Sequence, residues 1–381
     1  MNQKIELKKI LPVFMSFVVM GFVDIVGVST GYVKKDFQLS DSLAQLVPAM
    51  AFVWFFLLSV PAGILQDRFG KRKILNIGMA LTGLGMLIPF IHHSFPVMLS
   101  AFALIGIGNT IVQVSANPLL YDVTPKEKFS SFMSLTQFVK AIISLLGPII
   151  TTFFAAQMGN WKLIFVVYAI TSFLAVLWLY ATPIQEQKGD KKPASFASCF
   201  KLLTNPFVGI MVLGIFLTVG ADVGMNSSIQ TYLSTRFVVT LEAASLGISI
   251  YFSSLMISRF LGAIMLNWIK PRLFLIGTAL VALSGIVLMF FAPEQWMANV
   301  AIFLVGLGSG NLFPLIFSLT VDKMPDRINE ISGLMIMAVS GGAFIPLLIG
   351  YCTTTMGING GLMILGGCIL YVLSIALVNR R

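Results

Sequence analysis

Residues 63–75 read GILQDRFGKRKIL, and long apolar runs flank them on both sides. Gly63, Leu65, Asp67, Arg68, Gly70, Lys71, Arg72, Lys73 and Leu75 therefore fall at a helix end, a tight charged turn and the start of the next helix. Gly63 permits close approach of another helix, and Gly70 lets the backbone reverse. Asp67 can face a neighbouring helix N-terminus or an arginine. The cluster of cations holds the turn on the positive side of a membrane.

Composition agrees with that reading. The chain has 381 residues, 57% hydrophobic and 10% charged, whereas a soluble protein carries about 25% charged residues. A span of about 20 residues plus a short loop divides the chain into twelve helices. The apolar runs predict them at 10–33, 42–66, 74–92, 96–118, 129–156, 161–182, 206–232, 243–267, 273–292, 295–319, 331–352 and 359–378. The widest gap, 183–205, is polar (QEQKGDKKP) and predicts an N-terminal six-helix bundle at 1–182, a central loop, and a C-terminal bundle at 206–381.

Charge placement orients the chain. Lys4, Lys8, Lys9, Arg68, Lys71, Arg72, Lys73, Lys126, Lys128, Lys188, Lys191, Lys192, Lys201, Lys270, Arg272, Lys323, Arg327, Arg380 and Arg381 fall at the termini and in every second loop. The opposite side holds only Lys34, Lys35, Lys162 and Arg236. By the positive-inside rule both termini and the central loop are expected in the cytoplasm of an inner, multi-pass location. The net charge of +10 thus faces loops and lipid, and no nucleic acid is expected as a partner. Cys199, Cys352, Cys368 and the adjacent pair His92 and His93 show no metal spacing, so neither a metal, a cofactor nor a disulfide framework is expected. The first apolar run contains Asp24 and lacks a small-residue cleavage site, which predicts a retained helix.

The halves repeat at an offset of about 199 residues. Asp24 in GFVDIVG returns as Asp222 in VGADVGM, and Gly63 returns as Gly262 with Lys71 and Lys73 echoed by Lys270 and Arg272. LIGIGNT at 104–110 returns as LVGLGSG at 304–310, and Gly147–Pro148 is echoed by Ile345–Pro346. Such self-similarity predicts two bundles related by an axis along the membrane normal, with a binding site near mid-depth.

Asp24, Lys140, Asp222 and Arg259 are the ionisable residues well inside predicted helices, and each costs about 2.5–3.5 kcal/mol or more there unless it faces water or a partner. Asp24 and Asp222 are candidate proton carriers, with Asp24 alternatively a substrate acceptor or a static partner of Lys140. Asn109, Gln113 and Asn117 on helix four, and Asp222, Asn226 and Gln230 on helix seven, recur at four-residue spacing and share one face. Helix five carries Ser134, Gln137, Lys140 and Ser144 on one side. Carboxamides both donate and accept, which suits a hydroxyl-rich ligand; bonding between helices is the other reading. The candidate substrate contacts are Asn109, Gln113, Asn117, Gln137, Lys140, Asn226, Gln230 and Asn311. Gly63, Asp67, Arg68, Gly70 and Arg72 form the candidate conformational-switch loop. Arg259 reads better as a brace on helix-end carbonyls than as a substrate contact. Phe52, Trp54, Phe55 and Phe56 read as lipid-facing or core packing.

With these residues in place, the chain resembles the major facilitator superfamily. The loop at 63–75 looks like the family's signature between helices two and three. VGADVGMNSSIQTYL at 219–233 is similar to the VGAEVxxGSFxxxYL pattern of the fucose-permease branch, and Ser258 to Gly262 to its GRFxG. Phe313 to Leu319 looks like FPxIFSL, Ser332 to Pro346 like SGxLxMAxxGGAxxP, and Ala116-Asn117-Pro118 like AANP. The resemblance implies a monomeric transporter that imports a monosaccharide with H⁺ by alternating access. Three positions differ from the branch: Gln113 stands for an acid, Asp24 precedes the usual helix-one carboxylate, and Lys140 replaces a small residue. Lys140 shifts weight toward an acidic sugar, and Na⁺ stays open as the coupling ion. An antiporter exporting drugs or metabolites is the alternative on the same fold. No nucleophile–base pair indicates an enzyme.

Overall fold

The computed structural model describes residues 6–39, 43, 46–186, 195–237 and 241–378. Lys4, Lys188, Lys191, Lys192, Arg380 and Arg381, and 187–194 of the central loop, lie outside the described residues. Among those described the chain is all-α, with twelve helices long and apolar enough to cross a membrane. They are span one Leu7–Thr30, two Leu46–Phe69, three Lys71–Phe90, four Phe95–Val123, five Lys126–Met158 and six Leu163–Ala181. There follow seven Pro206–Phe237, eight Gly247–Met265, nine Pro271–Phe291, ten Gln295–Lys323, eleven Pro325–Met356 and twelve Ile358–Val378.

The charged turn is shorter than its sequence suggests. Span two stays helical through Phe69, span three begins at Lys71, and Gly70 alone joins them at φ +93°. That left-handed backbone is open to glycine and strained for a side chain with a Cβ. Spans three and four then pack tightly: a Cβ on Gly78 would lie 2.9 Å from the carbonyl oxygen of Gly108. Spans nine and ten repeat the device, with Gly285 leaving 2.7 Å to the nitrogen of Val305. Small residues at helix contacts replace the hydrophobic drive that lipid does not supply. The repeated glycine motifs at 104–110 and 304–310 are thereby explained.

Three helices predicted as continuous are interrupted. Span one passes through a 3-10 stretch, Phe22–Ile25, between α segments Leu7–Gly21 and Val26–Asp36. Asp24 thus sits in that tighter turn and not in the middle of an α-helix. Span ten breaks between Ser309 and Leu312, and span eleven has a 3-10 turn at Ala338–Ser340. The polar central region carries a short helix, Phe196–Leu202, that composition did not predict. On span two Phe52 and Phe56 are exposed while Phe55 is buried, so that aromatic cluster is divided between surface and core.

The chain forms two compact units. The first comprises Met1–Phe129, Thr136–Lys201 and Met324–Met337; the second comprises Ser130–Leu135, Leu202–Lys323 and Ala338–Arg381.

Candidate functional site

In the first unit the site is built around the interruption of span one. The amide of Asn109, on span four, donates to the carbonyls of Val19 (3.2 Å) and Met20 (3.1 Å). Those carbonyls stand where the α-helical bond pattern gives way to the 3-10 turn, and a buried carbonyl without a partner is costly. Asn109 therefore holds the turn that carries Asp24. Gln113 donates to the side-chain oxygen of Asn109 at 3.0 Å, and Asn117 donates to the carbonyl of Gln113 at 3.2 Å. The stripe on span four is a chain of buried carboxamides anchored on span one.

Span five supplies the facing groups. Lys140 is eleven residues into the helix that starts at Phe129, about 16 Å along its axis. Its ammonium lies 4.0 Å from Asp24 Oδ2, and the Ser144 hydroxyl donates to the same carboxylate oxygen. Ser144 also lies 3.0 Å from the carbonyl of Lys140. A serine has one proton to donate, so its hydroxyl serves Asp24 or its own helix, one at a time. Asp24 and Lys140 are each partly accessible, so the attraction between them is screened and loose, unlike that of a sealed pair. Gln137, one turn before Lys140, makes no hydrogen bond among the described residues.

The second unit treats its carboxylate differently. The hydroxyl of Tyr251, which is fully buried on span eight, donates to Asp222 Oδ1 at 2.6 Å. Asn226, one turn beyond Asp222, is half-buried without a hydrogen bond among the described residues, and Gln230 is half-buried one turn further. Arg259 donates to the carbonyl of Gly310 at 3.3 Å, where span ten breaks. Asn311 donates to the Ser258 hydroxyl at 3.0 Å and to the Ser258 carbonyl. Arg259 and Asn311 thus both brace the interruption of span ten against span eight. Tyr251 escaped the sequence reading, because one aromatic among many on apolar helices carries no periodic signal.

The loop residues come together at the basic end of the first unit. Asn329, in the first turn of the segment Ile328–Met337, donates to Asp67 at 2.8 Å. A Cβ on Gly63 would sit 2.8 Å from the Asn329 carbonyl oxygen and 3.3 Å from Gly333 Cα. Lys71 and Asp122 form a buried ion pair at 2.7 Å. Glu186 accepts from the backbone N–H of Lys71 (2.6 Å) and of Arg72 (3.1 Å), and the Arg72 guanidinium donates to the Thr182 carbonyl at 2.5 Å. Arg68 alone of this group is exposed with no polar partner among the described residues.

Comparison with known proteins follows the same lines. Over 374 residues the chain is 26% identical to the glucose/galactose transporter of Brucella abortus biovar 1, covering 92% of this chain and 88% of that one. It is 27% identical over 359 residues to the putative glucose/galactose transporter of Helicobacter pylori, covering 88% and 87%. Its fold superimposes on the E. coli fucose:proton symporter FucP with a TM-score of 0.85 at 18% identity, over 98% of this chain and 100% of that one. The sequence profile of the Major Facilitator Superfamily matches residues 13–347. The chain belongs to the Major Facilitator Superfamily.

Proposed function

We propose that this chain is a secondary transporter that imports a monosaccharide or an acidic sugar derivative together with H⁺, by alternating access, in a cell inner membrane. The observation that carries the proposal is the group formed by Asp24, Ser144 and Lys140. A carboxylate with a loosely held ammonium and a rotatable hydroxyl can take up a proton and release its partners without unfolding anything. When Asp24 is ionised, Ser144 donates to it; when Asp24 is protonated it becomes a donor, and Ser144 turns to the Lys140 carbonyl. Lys140 is then free to meet a substrate carboxylate. The sugar relatives and the symporter fold support the same class of cargo and coupling ion. Gln113, Gln137 and Lys140 are the proposed substrate contacts of the first unit, and Asn226 and Gln230 those of the second. Asn109, Asn117 and Asn311, whose amides are engaged with protein carbonyls, have the supporting role.

Reconstituted protein tests this. Proteoliposomes should exchange labelled sugar and should accumulate it when the outside is acidified. Asp24→Asn should keep exchange and lose accumulation driven by the pH gradient, while Asp222→Asn should keep both. If Asp24→Asn still accumulates sugar and Asp222→Asn does not, the carrier is on span seven. If wild type accumulates sugar only with a Na⁺ gradient, H⁺ coupling is wrong.

A further inference from the structure

The short helix Phe196–Leu202 and the basic end of span two enclose a cavity of about 310 Å³ lined by Pro61, Ile64, Leu65, Arg68, Ser195 and Phe196. Its walls are apolar except at Arg68 and Ser195. The cavity opens outward past Leu65 and Phe196, which are 43% and 56% exposed. Phe196 and Phe200, one helical turn apart, both face out, whereas Cys199 and Leu202 are buried. A short helix with aromatic residues on its open side and its other side docked lies well at a headgroup–acyl boundary. Arg68 is in the last turn of span two, at the depth where a spanning helix leaves the hydrocarbon. The acids nearby are engaged elsewhere: Asp67 with Asn329, and Glu186 with the N–H groups of Lys71 and Arg72. Arg68 therefore presents a guanidinium with no polar partner among the described residues beside an apolar recess that opens to the outside of the molecule.

We propose that this cavity is a binding site for an anionic phospholipid of the leaflet facing the basic loops. The upper part of an acyl chain lies against Pro61, Ile64, Leu65 and Phe196, and the phosphate is taken by Arg68, whose planar fork matches phosphate oxygens. A bound lipid would bridge span two and the Phe196–Leu202 helix, whose docking otherwise includes the bond from Ser198 to Glu330 at 2.6 Å. It would tie the chain's central region to the composition of the membrane.

The test is a titration of the purified full chain in detergent with phosphatidylglycerol and, separately, phosphatidylcholine of the same acyl chains. Bound lipid is counted by native mass spectrometry for wild type, Arg68→Gln, Arg68→Lys and Phe196→Ala. One basic side chain near an anionic surface corresponds to a preference of about five-fold. Wild type and Arg68→Lys should show that preference for phosphatidylglycerol, and Arg68→Gln should lose it. Phe196→Ala should weaken both lipids by a similar factor. Arg68 is exposed, so each variant should melt with wild type, and a melting curve checks this. Equal binding of both lipids to wild type, or a preference that survives Arg68→Gln, would overturn the proposal. Displacement of the lipid by an equal concentration of inorganic phosphate would also overturn it, because the apolar recess would then contribute nothing.

Discussion

Burial, and then the carboxylate of Glu330, push the Cys199 thiol up to about 12. Only the thiolate attacks alkylating reagents, so at pH 8 roughly one molecule in 10⁴ is reactive at this position. With Cys352 and Cys368 replaced by serine, maleimide should label Cys199 at least ~100-fold more slowly than a free thiol at that pH, and the rate should rise with each pH unit. Intact-mass analysis follows it. Labelling at the free-thiol rate would mean that the Phe196–Leu202 helix is undocked in solution. Single residues were unevenly legible in the sequence. Asp24, Lys140, Asp222 and Arg259 stand out because an ionisable group in an apolar run needs a reason to be there. Glu330 did not stand out: it lies among charges at a span end, where carboxylates are usually solvated, yet it is buried against Arg327 and Ser198. The phenol of Tyr251 was hidden for the opposite reason, as one aromatic among many.

Whole helices were easier to read than their interruptions. Twelve apolar runs predicted twelve spans because lipid requires every backbone group to be bonded within the helix. The 3-10 turn at Phe22–Ile25 has no such signature, since its determinant is Asn109, 89 positions from Met20. The Phe196–Leu202 helix was missed because its polar and charged surroundings masked a short apolar spacing. Asn109 gives the element-scale prediction. Asn109→Ala removes the side-chain donor from the carbonyls of Val19 and Met20 and leaves Val19 only the N–H of Phe22; a buried polar group left short of a partner costs about 1–3 kcal/mol. The variant should melt measurably lower in detergent, and accumulation of sugar driven by the pH gradient should fall with it because Asp24 rides on that turn. A wild-type melting curve would show that span one holds its break unaided.

For the molecule as a whole, the distribution of lysine and arginine predicts the topology: the termini and the central region on the cytoplasmic side. A green fluorescent protein fused after Arg381 should fluoresce, and alkaline phosphatase fused there should be inactive. The reverse pair of results would invert the topology and, with it, the leaflet assigned to Arg68. The single glycine between spans two and three has one further consequence, which is kinematic. A loop of several residues lets two rods drift apart, but Gly70 joins these two as a pin joins the arms of a crank. Glu186, bonded to the two backbone N–H groups just past it, clamps the exit of span six to the same pin. A displacement at the end of one arm is therefore shared by the end of the other, and lengthening the joint by even two glycines would introduce backlash.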